Sequence, residues 1–218
     1  MLHDVIMQTY KSMSSESGKA KFMKMRYLAI LPVLTTALLA PLSLAQVPIV
    51  EVDKAKSTIG FNVKASIDIS GKFDKWDATF TFTSTDVTTG VLDIKAYAAS
   101  VDTGSGMKDG KLKGKDFFDA KDNPYITFHS AKIVQTGATT FDIPGTFTIR
   151  GVSKPETLSL TAAGYGTGVD DIKGVMAFDR KEYGMNSGIP FIRIADRVEV
   201  DVNLHAEHVS GPLLDVKK

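Results

Sequence analysis

The chain has 218 residues, 43% of them hydrophobic and 23% charged, which is enough apolar material to bury a core and excludes a disordered or collagen-like chain. With 26 Lys and Arg against 25 Asp and Glu the formal charge is +1, so no global basic field points to nucleic acid or an anionic membrane surface. The absence of cysteine removes disulfide scaffolds, thiolate metal sites, cysteine nucleophiles and a lipidated amino-terminal cysteine.

The first predicted element is a targeting segment. Lys19, Lys21, Lys24 and Arg26 precede an uncharged apolar run from Tyr27 to Ala40, and Ser43-Leu44-Ala45 offers the small residues that a signal peptidase reads. Cleavage is expected after Ala45. The stretch before Lys19 is long for such a signal, and Met23 or Met25 would be a more ordinary start. The run is interrupted by Pro32 and falls short of the ~20 apolar residues of a spanning helix. The expectation is therefore export to the periplasm, with no stable membrane insertion once the signal is removed. Residues 1–45 hold five basic and two acidic residues, so the remaining chain carries 21 basic and 23 acidic residues, a charge of −2.

Residues 46–218 read as one domain in which the dominant period is two. Apolar residues alternate with polar ones at Ile59, Phe61, Val63 and Ala65, then at Ala78, Phe80 and Phe82, then at Leu92, Ile94, Ala96 and Ala98. The pattern returns at Ile126 and Phe128, at Phe141, Ile143, Phe147 and Ile149, at Leu158, Leu160 and Ala162, and from Val198 to Leu204. Turn residues separate these runs at 88–90, 136–137, 151–155 and in the Gly- and Asp-rich stretch 164–171. Short connections favour an antiparallel meander over a parallel sheet, which needs helical crossovers. Only Asp102 to Pro124 breaks the alternation; it reads as a long Lys- and Gly-rich loop with a helical turn around Lys115 to Asp119.

Runs such as Phe73–Thr83 and Val91–Val101 exceed the usual 5–6 residues of sandwich strands, which favours a barrel. Small residues on the apolar face, among them Ala96, Gly145 and Ala162, either leave an elongated cavity or make room for Phe rings from opposite strands. Composition leaves both open.

Catalytic constellations are scarce. His205-Ala206-Glu207-His208 has metal-ligand residue types, but on a strand positions i and i+3 face opposite sides. Ser100 and Asp102 with His129 have the types of a nucleophilic triad without any local signature for one. The glycines of 164–168 lack the Lys-Ser/Thr of a phosphate loop. No enzyme, metal or cofactor is expected.

Four ordered motifs, however, carry a family resemblance. Ser100-Val101-Asp102-Thr103-Gly104, Lys108-Asp109-x-x-Leu112, Asp116-Phe117-Phe118-Asp119, Pro124 and Phe128 form the central one. Upstream lie Asp53, Ser57, Ile59, Phe61, Gly71 and Phe73. Downstream lie Gly145 to Val152 with Pro155 and Leu158, then Phe178-x-Arg180 with Tyr183-Gly184-Met185. Together these resemble the YceI-like family of exported polyisoprenoid-binding proteins, over essentially all of residues 46–218. The resemblance implies an all-β, eight-stranded antiparallel lipocalin-like barrel with a long loop or short helix insertion. It also implies a lumen that takes an isoprenoid, an isoprenoid quinone or another long-chain lipid, and it is compatible with a homodimer. Phase within each strand then assigns Phe61, Phe80, Phe82, Ile94, Phe128, Phe147 and Ile149 to the lumen. Leu112, Phe117 and Phe118 would close one end, and Lys111 or Lys113 would meet a polar head group. Two positions depart from the family's pattern: Lys111 stands where it often has His, and Glu156, where it usually has an apolar residue, suggests an exposed turn. The runner-up expectation is an exported structural or interaction protein whose barrel is filled by its own side chains.

Overall fold

The alternation becomes twelve antiparallel segments of a single sheet in a computed structural model that describes residues 46–66, 68–164, 168–188 and 193–216. The expected signal peptide over residues 1–45, with its expected cleavage after Ala45, and residues 165–167 of the Gly-rich turn lie outside the described residues. In chain order the segments are β1 (Ile49–Val52), β2 (Thr58–Ala65), β3 (Ile69–Phe73), β4 (Trp76–Thr81), β5 (Val91–Tyr97) and β6 (Val101–Asp102). After helix α1 (Gly106–Lys113) come β7 (Tyr125–Ser130), β8 (Val134–Gln135), β9 (Thr140–Ile149), β10 (Val152–Ala163), β11 (Val169–Asp179) and β12 (Ile194–Ser210).

These segments make eight staves. β1 continues the edge of β12 that β2 occupies, and β8 continues the edge of β9 that β7 occupies. β3 and β4 are one run broken at Asp74-Lys75, and β5 and β6 are one run broken by the 3-10 turn Ala98–Ser100. The ladder crosses both breaks, Asp74 N donating to Ser100 O at 3.1 Å and Tyr97 N to Lys75 O at 2.9 Å. The sheet order β4-β5-β7-β9-β10-β11-β12-β2-β3-β6 thus begins and ends inside the two broken runs, and the sheet closes on itself as a barrel.

Two local expectations change. The unbroken strands expected over Phe73–Thr83 and Val91–Val101 are interrupted because Ser100 competes for ladder groups: its hydroxyl donates to Tyr97 O (2.7 Å) and accepts from Lys75 N (3.1 Å). The helix lies at Gly106–Lys113, while Lys115 to Asp119 forms turns. Its sequence hides it, since only Leu112 is buried, Met107 is 87% exposed, and Gly106 and Gly110 are poor helix formers. Tertiary contacts hold it instead. The Asp109 carboxylate accepts from Thr103 N (2.8 Å) and Thr103 Oγ1 (2.7 Å), and Leu112 enters the barrel.

One part of the wall is incomplete. β10 pairs with β9 from Val152 to Thr161, but with β11 only from Ser159 to Ala163. Among the described residues, its first half has no strand partner on the β11 side. Pro155 is tolerated there because its missing N–H faces no ladder. The ring of Tyr183, fully buried in the 3-10 turn Arg180–Tyr183 that follows β11, fills the space. It packs on Phe147 and Phe178 at 5.6 and 5.1 Å between centroids. Its hydroxyl donates to Glu156 Oε1 at 2.9 Å, and Lys154 bridges to Glu182 at 2.8 Å. Glu156 is therefore half-buried and engaged, rather than the mark of an exposed turn.

Candidate binding site

Inward-facing side chains divide the barrel into two chambers. The first lies under α1 and is lined from the wall by Ile59, Phe61, Ile94, Phe128, Phe147 and Val198, with Phe178 beside them. Its cover is the end of α1 and the segment after it: Leu112, Phe117 and Phe118 are all buried, and Phe118 sits 6.2 Å from Phe61 and 6.0 Å from Phe73 between ring centroids. Backbone bonds from Phe118 N to Leu112 O (2.9 Å) and from Ala120 N to Lys113 O (3.0 Å) tie the cover to the helix. The second chamber lies at the opposite end, lined by Phe80, Phe82, Phe141, Ile143, Leu160 and Ile172 and crossed by Leu214 and Val216.

Between the chambers is a waist, and it explains the small inward residues. A Cβ at Gly145 would lie 2.7 Å from Phe128 Cζ, and one at Gly174 would lie 2.5 Å from Leu160 Cδ2. These glycines let a neighbouring ring and a leucine lie across the barrel, where fully buried Leu92 completes the packing. Ala96 and Ala162 instead line the two chambers. Both consequences of small residues, accommodated rings and open volume, occur in the one barrel.

The sequence-assigned residues therefore separate. Phe61, Ile94, Leu112, Phe117, Phe118, Phe128, Phe147 and Ile149 meet around the first chamber, whereas Phe80 and Phe82 belong to the second, stacked on each other at 6.3 Å. Lys111 is engaged in an ion pair with Asp116 at 2.6 Å and lies 5.7 Å over the Phe117 ring. Lys113 lies outside the barrel, beside Asp109, Asp74 and Ser100.

Sequence reasoning missed the one charged group that lines the first chamber among the described residues, Arg180. It is 7% exposed, and its guanidinium is fixed by bonds to Ala195 O (3.1 Å), Met185 O (2.5 Å), Ser187 O (2.9 Å) and Asp196 Oδ1 (3.1 Å). Lys181 also pairs with Asp196, at 2.8 Å, so that carboxylate is shared between two cations and its pKa is held below the ordinary value. The signal that could have found Arg180 is its phase: just past β11 it continues the inward run of Met176 and Phe178.

The polar clusters noted in the sequence have other duties. His205 pairs with Asp171 at 2.7 Å, while His208 Nε2 donates to Gly211 O at 2.9 Å, so the two imidazoles serve different partners. Among the described residues no His, Asp and Glu cluster has the arrangement of a metal site. His129 pairs with Asp93 at 2.6 Å, and the Ser100 hydroxyl is spent on Tyr97 O.

Comparison with known proteins agrees with this geometry. The family model described as the YceI-like domain matches residues 51–206. The chain belongs to the YceI-like family. A UPF0312 protein of Pseudomonas savastanoi pv. phaseolicola is 33% identical over 98 residues, covering 45% of this chain and 51% of that protein. A UPF0312 protein of Pseudomonas aeruginosa is 32% identical over 96 residues, with 44% and 50% covered, so the chain spans about half the length of the curated relatives it matches. Among solved structures, Burkholderia cenocepacia BcnA superposes with a TM-score of 0.64 at 29% identity, over 71% of this chain and 99% of that one. A polyisoprenoid binding domain from Saccharophagus degradans shares the fold, with a TM-score of 0.60 at 16% identity over 74% of this chain and 99% of that one.

Proposed function

We propose that this YceI-like protein is a periplasmic carrier that holds the apolar chain of an isoprenoid or similar long-chain lipid in the first chamber, without catalysis. The observation that carries this reading is a chamber enclosed by the barrel wall and lined by hydrocarbon side chains, with a single fixed guanidinium at its edge. The signal peptide expected over residues 1–45 supports export, and the polyisoprenoid binding domain that shares the fold supports the ligand class. Burying each CH₂-sized group is worth about 0.8 kcal/mol, and drug-sized ligands retain about 0.3 kcal/mol per heavy atom after binding costs. A chain of about 20 carbons therefore keeps about 6 kcal/mol.

The resting chamber measures only about 90 Å³. That is smaller than the roughly 150 Å³ cavity that admits one benzene. A long lipid enters only when the cover moves, because Leu112, Phe117 and Phe118 sit on a segment outside the wall while most other lining residues lie on ladder strands. The same small volume favours a second reading, an exported scaffold with a self-filled barrel. Native mass spectrometry of the protein purified from its producing cells, followed by organic extraction, separates the two. A stoichiometric prenyl or quinone adduct is expected; an empty protein that also ignores added isoprenoids would establish the scaffold.

A further inference from the structure

The second chamber contains a feature that packing does not explain. Along β11 the inward phase runs Phe178, Met176, Gly174, Ile172 and then Asp170. A carboxylate thus occupies a position whose period demands an apolar residue. Its neighbours across the ladders are small, Ala206 directly opposite on β12 and Ala162 opposite Ile172 on β10, so space remains beside it. Asp170 Oδ1 is buried and accepts no hydrogen bond, although a buried carboxyl oxygen normally finds a donor. Burial, and then the adjacent Asp171, push its pKa above the ordinary value, as expected for an acid that lacks a counter-charge.

We infer that the second chamber is a separate binding site for a small cationic amphiphile, a primary ammonium carried on a short apolar body. The ammonium supplies donors without acceptors, which is what the orphaned oxygen lacks. The body meets Phe80, Phe82, Ile172 and Leu160; the void of about 70 Å³ is smaller at rest than such a chain, which therefore enters only when the segment carrying Leu214 and Val216, outside the long strands, gives way. The charge around this end selects the sign of the ligand. Glu51 stands opposite Glu207 in the ladder and Asp171 adjoins Asp170, against His205, Lys56 and His208, whose Nε2 is engaged by Gly211 O. Lys56 is taken up by Asp53 and Glu207, each at 3.2 Å. The far side is closed by the carboxy-terminal segment, where Asp215 N donates to Thr85 O (2.7 Å) and Val87 N to Asp215 O (3.2 Å). The ammonium would therefore sit at the Asp170 rim with its chain directed toward the waist. This site does not depend on the lipid reading of the first chamber.

The test is a titration of the purified full chain with n-octylamine, n-octanol and n-octanoate, each below its aggregation threshold. Calorimetry gives affinity, and methyl NMR gives location. Octylamine is expected to bind one to one, shift the Ala162, Ala206 and Ile172 methyls, and leave Ile94 and Ile149 unmoved. Asp170→Asn should weaken it about tenfold or more, the loss of a charged hydrogen-bond partner. The variant's unchanged Ile94 and Ile149 methyl positions would show that the fold is intact. Equal binding by octanol or octanoate, an unchanged octylamine affinity in Asp170→Asn, or shifts confined to the first chamber would each overturn the assignment. Isoprenoid capture measured on the same variant should be unaltered, so failure of either chamber's reading is seen separately.

Discussion

Tyr183 offers a sharp test of how the wall is sealed. Replacing it with Ala removes a ring that is 0% exposed and that occupies the gap between the first half of β10 and the end of β11. A buried aromatic side chain of ~150–250 Å² at about 25 cal/mol per Å² corresponds to roughly 4–6 kcal/mol, and measured aromatic-to-Ala losses run about 3–5 kcal/mol. We expect a loss of about 4 kcal/mol, which lowers Tm by roughly 8–16 °C in a domain of this size. Tyr183→Phe keeps the ring and deletes only the hydroxyl that donates to Glu156, so about 1 kcal/mol is expected, below the ~1.5–3 kcal/mol of a buried bond to a charged group because Glu156 is half-exposed. Urea denaturation of both variants, with Glu156→Gln completing a double-mutant cycle, measures each part. Burial and the Glu156 carboxylate raise the hydroxyl's pKa. A raised folded value means that stability is full below the unfolded pKa of about 10 and falls as pH rises above it, and Tyr183→Phe should lose that component of alkaline sensitivity. A Tyr183→Ala loss below about 1 kcal/mol would mean that β10 and β11 zip together without the ring, refuting the seal.

Other consequences can be checked alongside. Ser130 is 1% exposed and its hydroxyl accepts from Leu92 N at 2.7 Å, so Ser130→Ala should cost about 1–3 kcal/mol and accelerate exchange of the Leu92 amide. Arg180→Met should cost at least about 2 kcal/mol by leaving the carbonyls of Met185, Ser187 and Ala195 without their donor, read by thermal unfolding. Asp109 is held below its ordinary pKa of 3.8 by the Thr103 hydroxyl and then its amide, and Asp116 by Lys111. Depressed folded values give stability that is present above 3.8 and lost as pH falls through the folded pKa, so exchange of the Phe118 amide should rise in acid before that of the barrel wall. Phe128→Ala, which empties volume beside Gly145, should alter lipid capture in the first chamber, whereas Phe82→Ala in the second should leave it unchanged; equal effects would sink the division by the waist.

The period of two and the short turns determined an antiparallel meander, because a half-buried strand must alternate and sequential antiparallel strands need only tight connections; they fit a sandwich as well as a barrel, and the motif order is what pointed to the barrel. Strand phase likewise placed Phe61, Ile94, Phe128 and Phe147 inside, since the pleat alone decides which way a side chain points. The tertiary structure decided what phase along one strand cannot express, namely height in the barrel. Phe80 and Phe82 share the inward phase of Ile94 but lie beyond the waist, in the other chamber. Helix α1 was illegible because its stability comes from Asp109 on Thr103 and from Leu112 in the lumen, not from periodicity. The roles of Tyr183, Arg180 and Asp170 depend on where β10 and β11 part and on which inward positions remain open. Those are properties of the closed sheet, because a side chain's partners across the barrel are set by closure and shear rather than by its neighbours in the chain.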